Sequence, residues 1–356
     1  MKNITIDARM INASGIGTVI KNILRRIVVI KPEWHFYILG NINELKSFEY
    51  LHKPNIECIE CNAPIYSIRE QFELLKKIPG NTNIVWSPHY NIPFLYKGKI
   101  VVTIHDVFHL AMPQFVGGLH KKLYVKFMFN MVKYKSDKII TVSKFTANEL
   151  KKYVGVDEKK ITVIYNGIDE EWFNVKKDNP IHDKPYILYV GNVKPHKNLK
   201  VLVKAFLNVK NKINHDLIIV GKKDGFITED KDIKNFVEKN ENRIIFTGYV
   251  NDTLLKQYYK QADIFVFPSL YEGFGLPPLE ALAAGCKRVI CSNAASLPEI
   301  CGDWVEYFDP DNIYELENLL IKESSIKLNN FMYSILQRYN WENIIDEMIC
   351  ILEDKI

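Results

Sequence analysis

Long apolar runs are missing from this chain of 356 residues. No stretch reaches the roughly 18 uninterrupted apolar residues of a membrane-spanning helix, so nothing is expected to cross a bilayer. Cysteine is sparse as well, and six in a chain this long do not form a secreted disulfide framework. Cys58 and Cys61 make a C-x-x-C pair, but no second pair of suitable spacing completes a zinc site. The pair lies in the alternating run IECIEC, typical of a strand, and is expected to be inert. Low-complexity segments and short repeats are also lacking. The opening MKNITIDARM enters a strand-like alternation without the apolar core of a signal peptide, so a cytoplasmic location is expected.

What is present describes a globular protein: 47% hydrophobic and 25% charged residues, in a length that fits two domains. The net charge of +5 is unevenly spread, with +10 over residues 1–169 and −5 over the remainder. A basic half could meet nucleic acid, but no recognised binding motif accompanies it, and none is expected as a partner. An anionic membrane surface or a phosphate-bearing acceptor fits as well.

Short β-branched runs alternate with helical patterns. Strands are predicted at 4–7, 35–40, 83–87, 99–105 and 138–143, then at 185–191, 216–221, 243–248, 263–269 and 288–292. Such nearly continuous apolar strands, separated by helices, mean parallel sheets covered on both faces. The polar stretch Asn174–Asp183 precedes a fresh strand and marks the boundary. The expected fold class is α/β with two doubly wound Rossmann-like domains facing across a cleft. They comprise residues 1–173 and 174–339, with 340–356 as a terminal helix packing back on the first. Ligands of such folds sit beyond the carboxyl ends of the strands, so chemistry belongs in the loops there.

The most informative loop lies in FVFPSLYEGFGLPPLEALAAG, residues 265–285. A buried strand ends at Pro268–Ser269, Gly273 and Gly275 permit close backbone approach, Pro277–Pro278 open a helix, and Gly285 closes it. A helix start behind glycine amides suits phosphate. Glu272 and Glu280, eight apart, suit two hydroxyl-bearing parts of one ligand, such as a sugar and a ribose. In the first half, SGIG (14–17) reads as a glycine loop ahead of a helix, with Gly15 and Gly17 able to face a diphosphate. It is no dinucleotide fingerprint: Ile20 stands at the third glycine position, and no acid follows the strand ending Gly40–Asn41.

His105 ends a strand, at the level where ligands bind. His105 and His109 are four apart, but the strand before them makes a shared helix face and a zinc site unexpected. Asp230 and Asp232 match a D-x-D pattern able to hold manganese, yet their polar surroundings read as a solvated loop, so no metal site is expected. In 119–138 a stripe of Leu119, Leu123, Phe127, Met131 and Tyr134 reads as an ordinary core face. Tyr124, Met128 and Phe129 beside the lysines then suggest a basic amphipathic surface, resting on anionic lipid or simply solvated.

Taken together these motifs resemble the retaining glycosyltransferases of family four, in particular a branch of bacterial mannosyltransferase-like enzymes for surface polysaccharide. The family's E-x(7)-E motif is matched by Glu272 to Glu280, and further segments match in order. These are SGIG (14–17), HDVFHL (105–110), TVSKFT (141–146), YNGID (165–169), YVGNVKPHKN (189–198), GYVND (248–252) and SNAASLPEI (292–300). The resemblance implies a GT-B fold, with the donor nucleotide mainly on the second domain. It implies that Glu280 holds the ribose and Glu272 the transferred sugar. Amides of Gly273, Phe274 and Gly275, with Leu276 beside them, meet the sugar and diphosphate; Lys197 binds the diphosphate, Val250 approaches the base, and His105 faces the sugar. Where many members carry a phosphate-clamping arginine, this chain has Asn192, with Lys194 or His196 as substitutes unless both face solvent.

The expectation is a retaining, metal-independent hexosyltransferase without cofactor, using a nucleotide-sugar donor, with GDP-mannose the leading choice. The acceptor is expected to be a glycan or a lipid-linked saccharide at the cytoplasmic membrane face. A sugar-nucleotide epimerase of the same fold, a non-catalytic binding module and an oxidoreductase are the rivals.

Overall fold

The computed structural model of the chain describes residues 2–221, 237, 242–322 and 331–355. Its contacts divide it into two compact units, Met1–Gly167 with Trp341–Ile356, and Ile168–Asn340.

In the first unit seven parallel strands form one sheet: β1 (Asn3–Asp7), β2 (His35–Gly40), β3 (Ile56–Glu60), β4 (Ile84–Ser87), β5 (Lys99–Ile104), β6 (Lys138–Thr141) and β7 (Ile161–Val163). Their order is β3-β2-β1-β4-β5-β6-β7, so the chain reverses its direction of growth between β1 and β4. The second unit repeats the plan with β8 (Tyr186–Val190), β9 (Asp216–Val220), β10 (Ile244–Gly248), β11 (Ile264–Phe267), β12 (Val289–Ser292) and β13 (Glu306–Phe308). The order there is β10-β9-β8-β11-β12-β13, with the reversal between β8 and β11. Strands with both faces covered must be apolar throughout, and ILYV of β8, LIIV of β9 and IFVF of β11 meet that condition. Ligands gather at such reversal points, where adjacent strand-end loops diverge and leave room.

Helices cover the sheets. The first unit has α1 (Ser14–Ile30), α2 (Ile42–Leu45), α3 (Ile68–Lys77), α4 (Phe108–Ala111), α5 (Leu119–Lys135) and α6 (Lys144–Val154). The second has α7 (Leu199–Val209), α8 (Asp252–Gln261), α9 (Leu276–Ala284), α10 (Leu297–Cys301), α11 (Ile313–Ile321) and α12 (Phe331–Arg338). The last helix, α13 (Trp341–Lys355), returns to the first unit and buries Trp341, Ile344, Ile345, Met348, Ile349 and Leu352 in the core that α1 also enters. Gly167 of the YNGID segment makes room for this return. A Cβ there would lie 2.5 Å from the Trp341 ring, which packs beneath Arg26 at 5.5 Å.

Two local expectations change. Residues 14–17 are the first turn of α1 itself, not a loop before it. Gly17 is buried in that turn, and a Cβ would meet the Ile11 carbonyl oxygen at 2.4 Å, so close backbone packing demands the glycine. Gly15, by contrast, is exposed. The second change is the rotation of α5. The stripe read as its core face is outside: Leu119 is 73% exposed, Leu123 60% and Phe127 45%, with Tyr134 also exposed and Met131 half-buried. The core takes Val125, Met128, Phe129 and Val132 from the opposite side. Both sets recur every three or four residues, so periodicity alone does not choose between them.

Candidate functional site

In the second unit, the two loops leaving β8 and β11 are stitched together, because Leu270 N–H donates to the His196 carbonyl at 2.8 Å. From the first loop comes Lys197, at the end of a single 3-10 turn, Pro195–Lys197. From the second comes Glu272. The Lys197 ammonium lies 2.5 Å from Glu272 Oε1, and the Ser269 hydroxyl donates to the same oxygen at 2.6 Å. Both contacts fall on Oε1. Ser296, fully buried, reaches the carbonyls of Glu272 and Phe274 at 3.0 and 2.8 Å and so fixes the loop between them. Gly275 has φ +108°, a conformation side chains rarely adopt, and a Cβ would lie 2.7 Å from Leu297 Cδ2. Leu276 starts α9, whose first turn contains Pro277 and Pro278, where no intrahelical amide is lost. Gly285, with φ +82°, closes the helix.

Glu280 lies one turn into α9 and accepts from the Tyr259 hydroxyl at 3.2 Å. Burial pushes its carboxyl up to about 7; the tyrosine contact works against this, and Asp252 and Asp169 add to it. The Tyr259 phenol is held well above its usual range by burial and by Glu280. Val250 is half-buried in the loop that Asn251 ends by capping α8. Asn192 and Lys194 are exposed, while the buried Tyr189 hydroxyl donates to the Asn192 carbonyl at 3.2 Å. The structure thus brings Lys197 and Glu272 into direct contact, a pairing the motifs did not foretell, and sets Glu280 on the helix that follows their loop.

The first unit carries a second polar cluster at its own reversal point. Arg9, just past β1, makes ion pairs with Asp7 at 2.6 Å and Glu70 at 2.8 Å, and all three side chains are buried. Burial opposes the charge on Arg9, but Asp7 and Glu70 outweigh it and hold the guanidinium protonated. Burial likewise pushes the Glu70 carboxyl up against the pull of Arg9. Glu70 also accepts from Asn91 Nδ2 at 3.1 Å and from the Tyr66 amide at 2.9 Å. Nothing in the motifs marked Arg9, Glu70, Tyr66 or Asn91; the one available signal was an acid and a base, Asp7 and Arg9, at a strand end.

Three histidines sit nearby. His105, at the end of β5, donates Nε2–H to the Pro88 carbonyl at 3.0 Å, which leaves Nδ1 as its acceptor. Burial lowers its pKa, so the ring is neutral at pH 7. His89 Nδ1 accepts from the Asn91 amide at 3.2 Å. Burial, with His105 and His109 close by, lowers His89 to about 3. His109 Nδ1 and the Tyr90 hydroxyl are 3.0 Å apart. No group of three or more His, Cys, Asp or Glu among the described residues is arranged to hold a metal ion. Asp230 and Asp232 lie outside the described residues. Cys58 and Cys61 are free thiols, and burial pushes both up, Cys61 to about 12. No described helix is long and apolar enough to cross a membrane.

Two family profiles match adjacent stretches: Glycosyltransferase Family 4 over residues 51–172 and Glycosyl transferases group 1 over 170–330. The chain is 28% identical over 285 residues to the O-antigen chain mannosyltransferase RfbU of Salmonella typhimurium, covering 79% of this chain and 76% of that protein. It is 31% identical over 245 residues to O-antigen chain mannosyltransferase B of Escherichia coli, covering 65% of this chain and 62% of the relative, less than two thirds of its length. Among solved structures, Alr3699/HepE of Anabaena, crystallised with UDP and glucose, superposes with a TM-score of 0.78 at 16% identity. That superposition covers 99% of this chain and all of the other. The two parallel-sheet units are those of the GT-B fold.

Proposed function

The chain belongs to glycosyltransferase family 4, and from that premise we propose that it is a retaining, metal-independent hexosyltransferase. The observation that carries the reading is the Lys197–Glu272 contact beside the glycine loop and the start of α9. A nucleotide sugar presents a hexose, a diphosphate and a ribose, and the second unit offers a group suited to each. Lys197 has three N–H donors; one serves Glu272, and the others can serve phosphate oxygens. Charge developing on the departing diphosphate is then met by this ammonium and by the amides of Gly273, Phe274 and Gly275, without need of a divalent cation. Glu272 accepts from the hydroxyls of the transferred hexose, and Glu280 from those of the ribose, with Val250 towards the base. In the first unit, the neutral His105 offers Nδ1 as acceptor to a sugar hydroxyl, and Gly15 stands exposed in the first turn of α1, where a helix start suits phosphate; Gly17 is buried with its amide bonded to the Ala13 carbonyl at 2.7 Å and drops out of that role.

The donor we favour is GDP-mannose, in keeping with the O-antigen mannosyltransferases among the relatives. The acceptor is a saccharide, lipid-linked or free, of bacterial surface polysaccharide. The exposed apolar residues of α5, flanked by Lys121, Lys122 and Lys126, support peripheral attachment to anionic lipid at the cytoplasmic face. A thermal-shift panel of GDP-, UDP- and dTDP-sugars tests the donor side, because a ligand that binds only the folded state raises the unfolding temperature. One sugar nucleotide should stabilise the protein in excess EDTA; no response to any of them contradicts the proposal.

A further inference from the structure

A cavity of 480 Å³ in the first unit is walled by Tyr66, Tyr90, His109 and Tyr124, with His120 and Lys121 also lining it. We infer that this cavity seats a pyranose ring of the acceptor, its aromatic walls selecting for the neutral sugar. This rests on the transferase reading above and adds to it the site and chemistry of the second substrate.

The walls carry the inference. Sugar faces present polarised C–H groups, and these pack on the electron-rich faces of aromatic rings, while hydroxyls at the ring edge need a few placed donors and acceptors. Tyr66 stands edge-on to His109 and Tyr124, with centroids 6.4 and 6.3 Å away, and is 46% exposed. The Tyr124 hydroxyl accepts from Asn91 Nδ2 at 3.2 Å and keeps its own proton as a donor. Burial pushes the Tyr124 and Tyr90 phenols up, so both remain protonated.

Tyr66 is also strained. Its φ of +69° is an outlier for a bulky aromatic residue and has to be held by its surroundings. The conformation is held by the hydrogen bond its backbone N–H donates to the buried Glu70 carboxylate, which Arg9 and Asn91 hold in turn. A buried ionic network that fixes one strained, half-exposed tyrosine against four other rings, His89, Tyr90, His109 and Tyr124, is hard to account for by stability alone. It is accounted for if the ring must stand at a set place beside a ligand. The cavity's lining includes Tyr66, two residues before α3, and His120, Lys121 and Tyr124 in the first turns of α5, and these two helices expose Ile68, Phe72, Leu119 and Leu123. A saccharide carried on a lipid would therefore find apolar surface on both helices next to the cavity.

Saturation-transfer NMR with methyl α-D-manno-, gluco-, galacto- and N-acetylglucosamino-pyranosides tests this on the full chain, beside nucleoside diphosphate titration of the same samples. At least one pyranoside should give transfer. Tyr66→Ala and Tyr124→Ala should each weaken it roughly three- to ten-fold, the loss of one aromatic contact. Tyr66→Phe, which keeps the ring, should retain binding, and this separates a wall from a purely structural residue. Diphosphate affinity should be unchanged in all three variants. Pyranoside binding indifferent to both alanine substitutions, or absent while diphosphate binds, overturns the inference and spares the transferase reading. Loss of diphosphate and sugar nucleotide binding in the parent protein overturns that reading instead.

Discussion

Glu280 titrates where proteins are studied, and this makes its role measurable. Burial raises its carboxyl from the usual 4.5 to about 7, a difference worth about 3 kcal/mol between the two charge states. The sign follows from which state holds the proton. Between pH 4.5 and 7 the folded protein keeps a proton that the unfolded chain has lost, so this group's contribution to stability falls as pH rises through that window and is constant above it. Glu280→Gln removes the buried charge while still accepting from Tyr259. It should leave stability at pH 4 nearly unchanged and raise it by up to about 3 kcal/mol at pH 8. Ligand binding reverses the preference, because ribose hydroxyls donate to the ionised form. About a tenth of the carboxyl is ionised at pH 6, half at pH 7 and nine tenths at pH 8, so affinity for a nucleoside diphosphate should climb about ten-fold over that range. Titration calorimetry in two buffers of different ionisation enthalpy should show proton release on binding at pH 6 to 7. The phosphate's own titration is removed by comparison with Glu280→Gln, which should bind more weakly and lack the extra release. If the variant follows the same pH slope as the parent, Glu280 is not the group that meets the ribose.

Glu272→Gln should bind nucleoside diphosphate nearly as the parent does but turn over roughly ten- to a thousand-fold more slowly, the range for a charge-assisted contact tightened in the transition state; equal loss of diphosphate affinity would refute the division of labour between the glutamates. Lys197→Ala should do the reverse to diphosphate affinity, lowering it by about ten-fold or more in calorimetry. Transfer should persist in excess EDTA, and activity that vanished and returned with manganese would bring Asp230 and Asp232 forward. Phe129→Ala should cost about 3–5 kcal/mol in chemical denaturation, whereas Leu123→Ala should stay within about 0.5 kcal/mol; the opposite ranking would restore the first assignment of the α5 faces.

Most strands of both sheets were legible because they are apolar on both faces, as in ILYV of β8 and IFVF of β11, and β3 was legible from its alternation, IECIE. The weakly marked β7 and β13, three residues each, were not. Glycine is a poor helix residue, and so 14–17 read as a loop; only the Ile11 carbonyl, 2.4 Å from where a Cβ would stand, shows why Gly17 is needed in a helical turn. On the donor side, Lys197 and Glu272 were each legible from their motifs, but their contact joins residues 75 apart and exists only through the β8–β11 reversal. The Arg9, Glu70 and Asn91 network had no motif at all, since its members come from the loop after β1, the first turn of α3 and the loop after β4. The left-handed backbone of Tyr66 carries no sequence signal, because it is imposed by Glu70.

The central claim is transfer of a hexose, with retention, from a nucleotide sugar to a saccharide acceptor. The most direct measurement is a single-turnover reaction with GDP-mannose and a prenyl-diphosphate-linked saccharide in excess EDTA, with the product's anomeric configuration read by NMR. The expected result is one α-linked hexose added per nucleoside diphosphate released. A β-linked product contradicts retention, and an isomerised sugar nucleotide formed without any acceptor contradicts the transferase assignment itself.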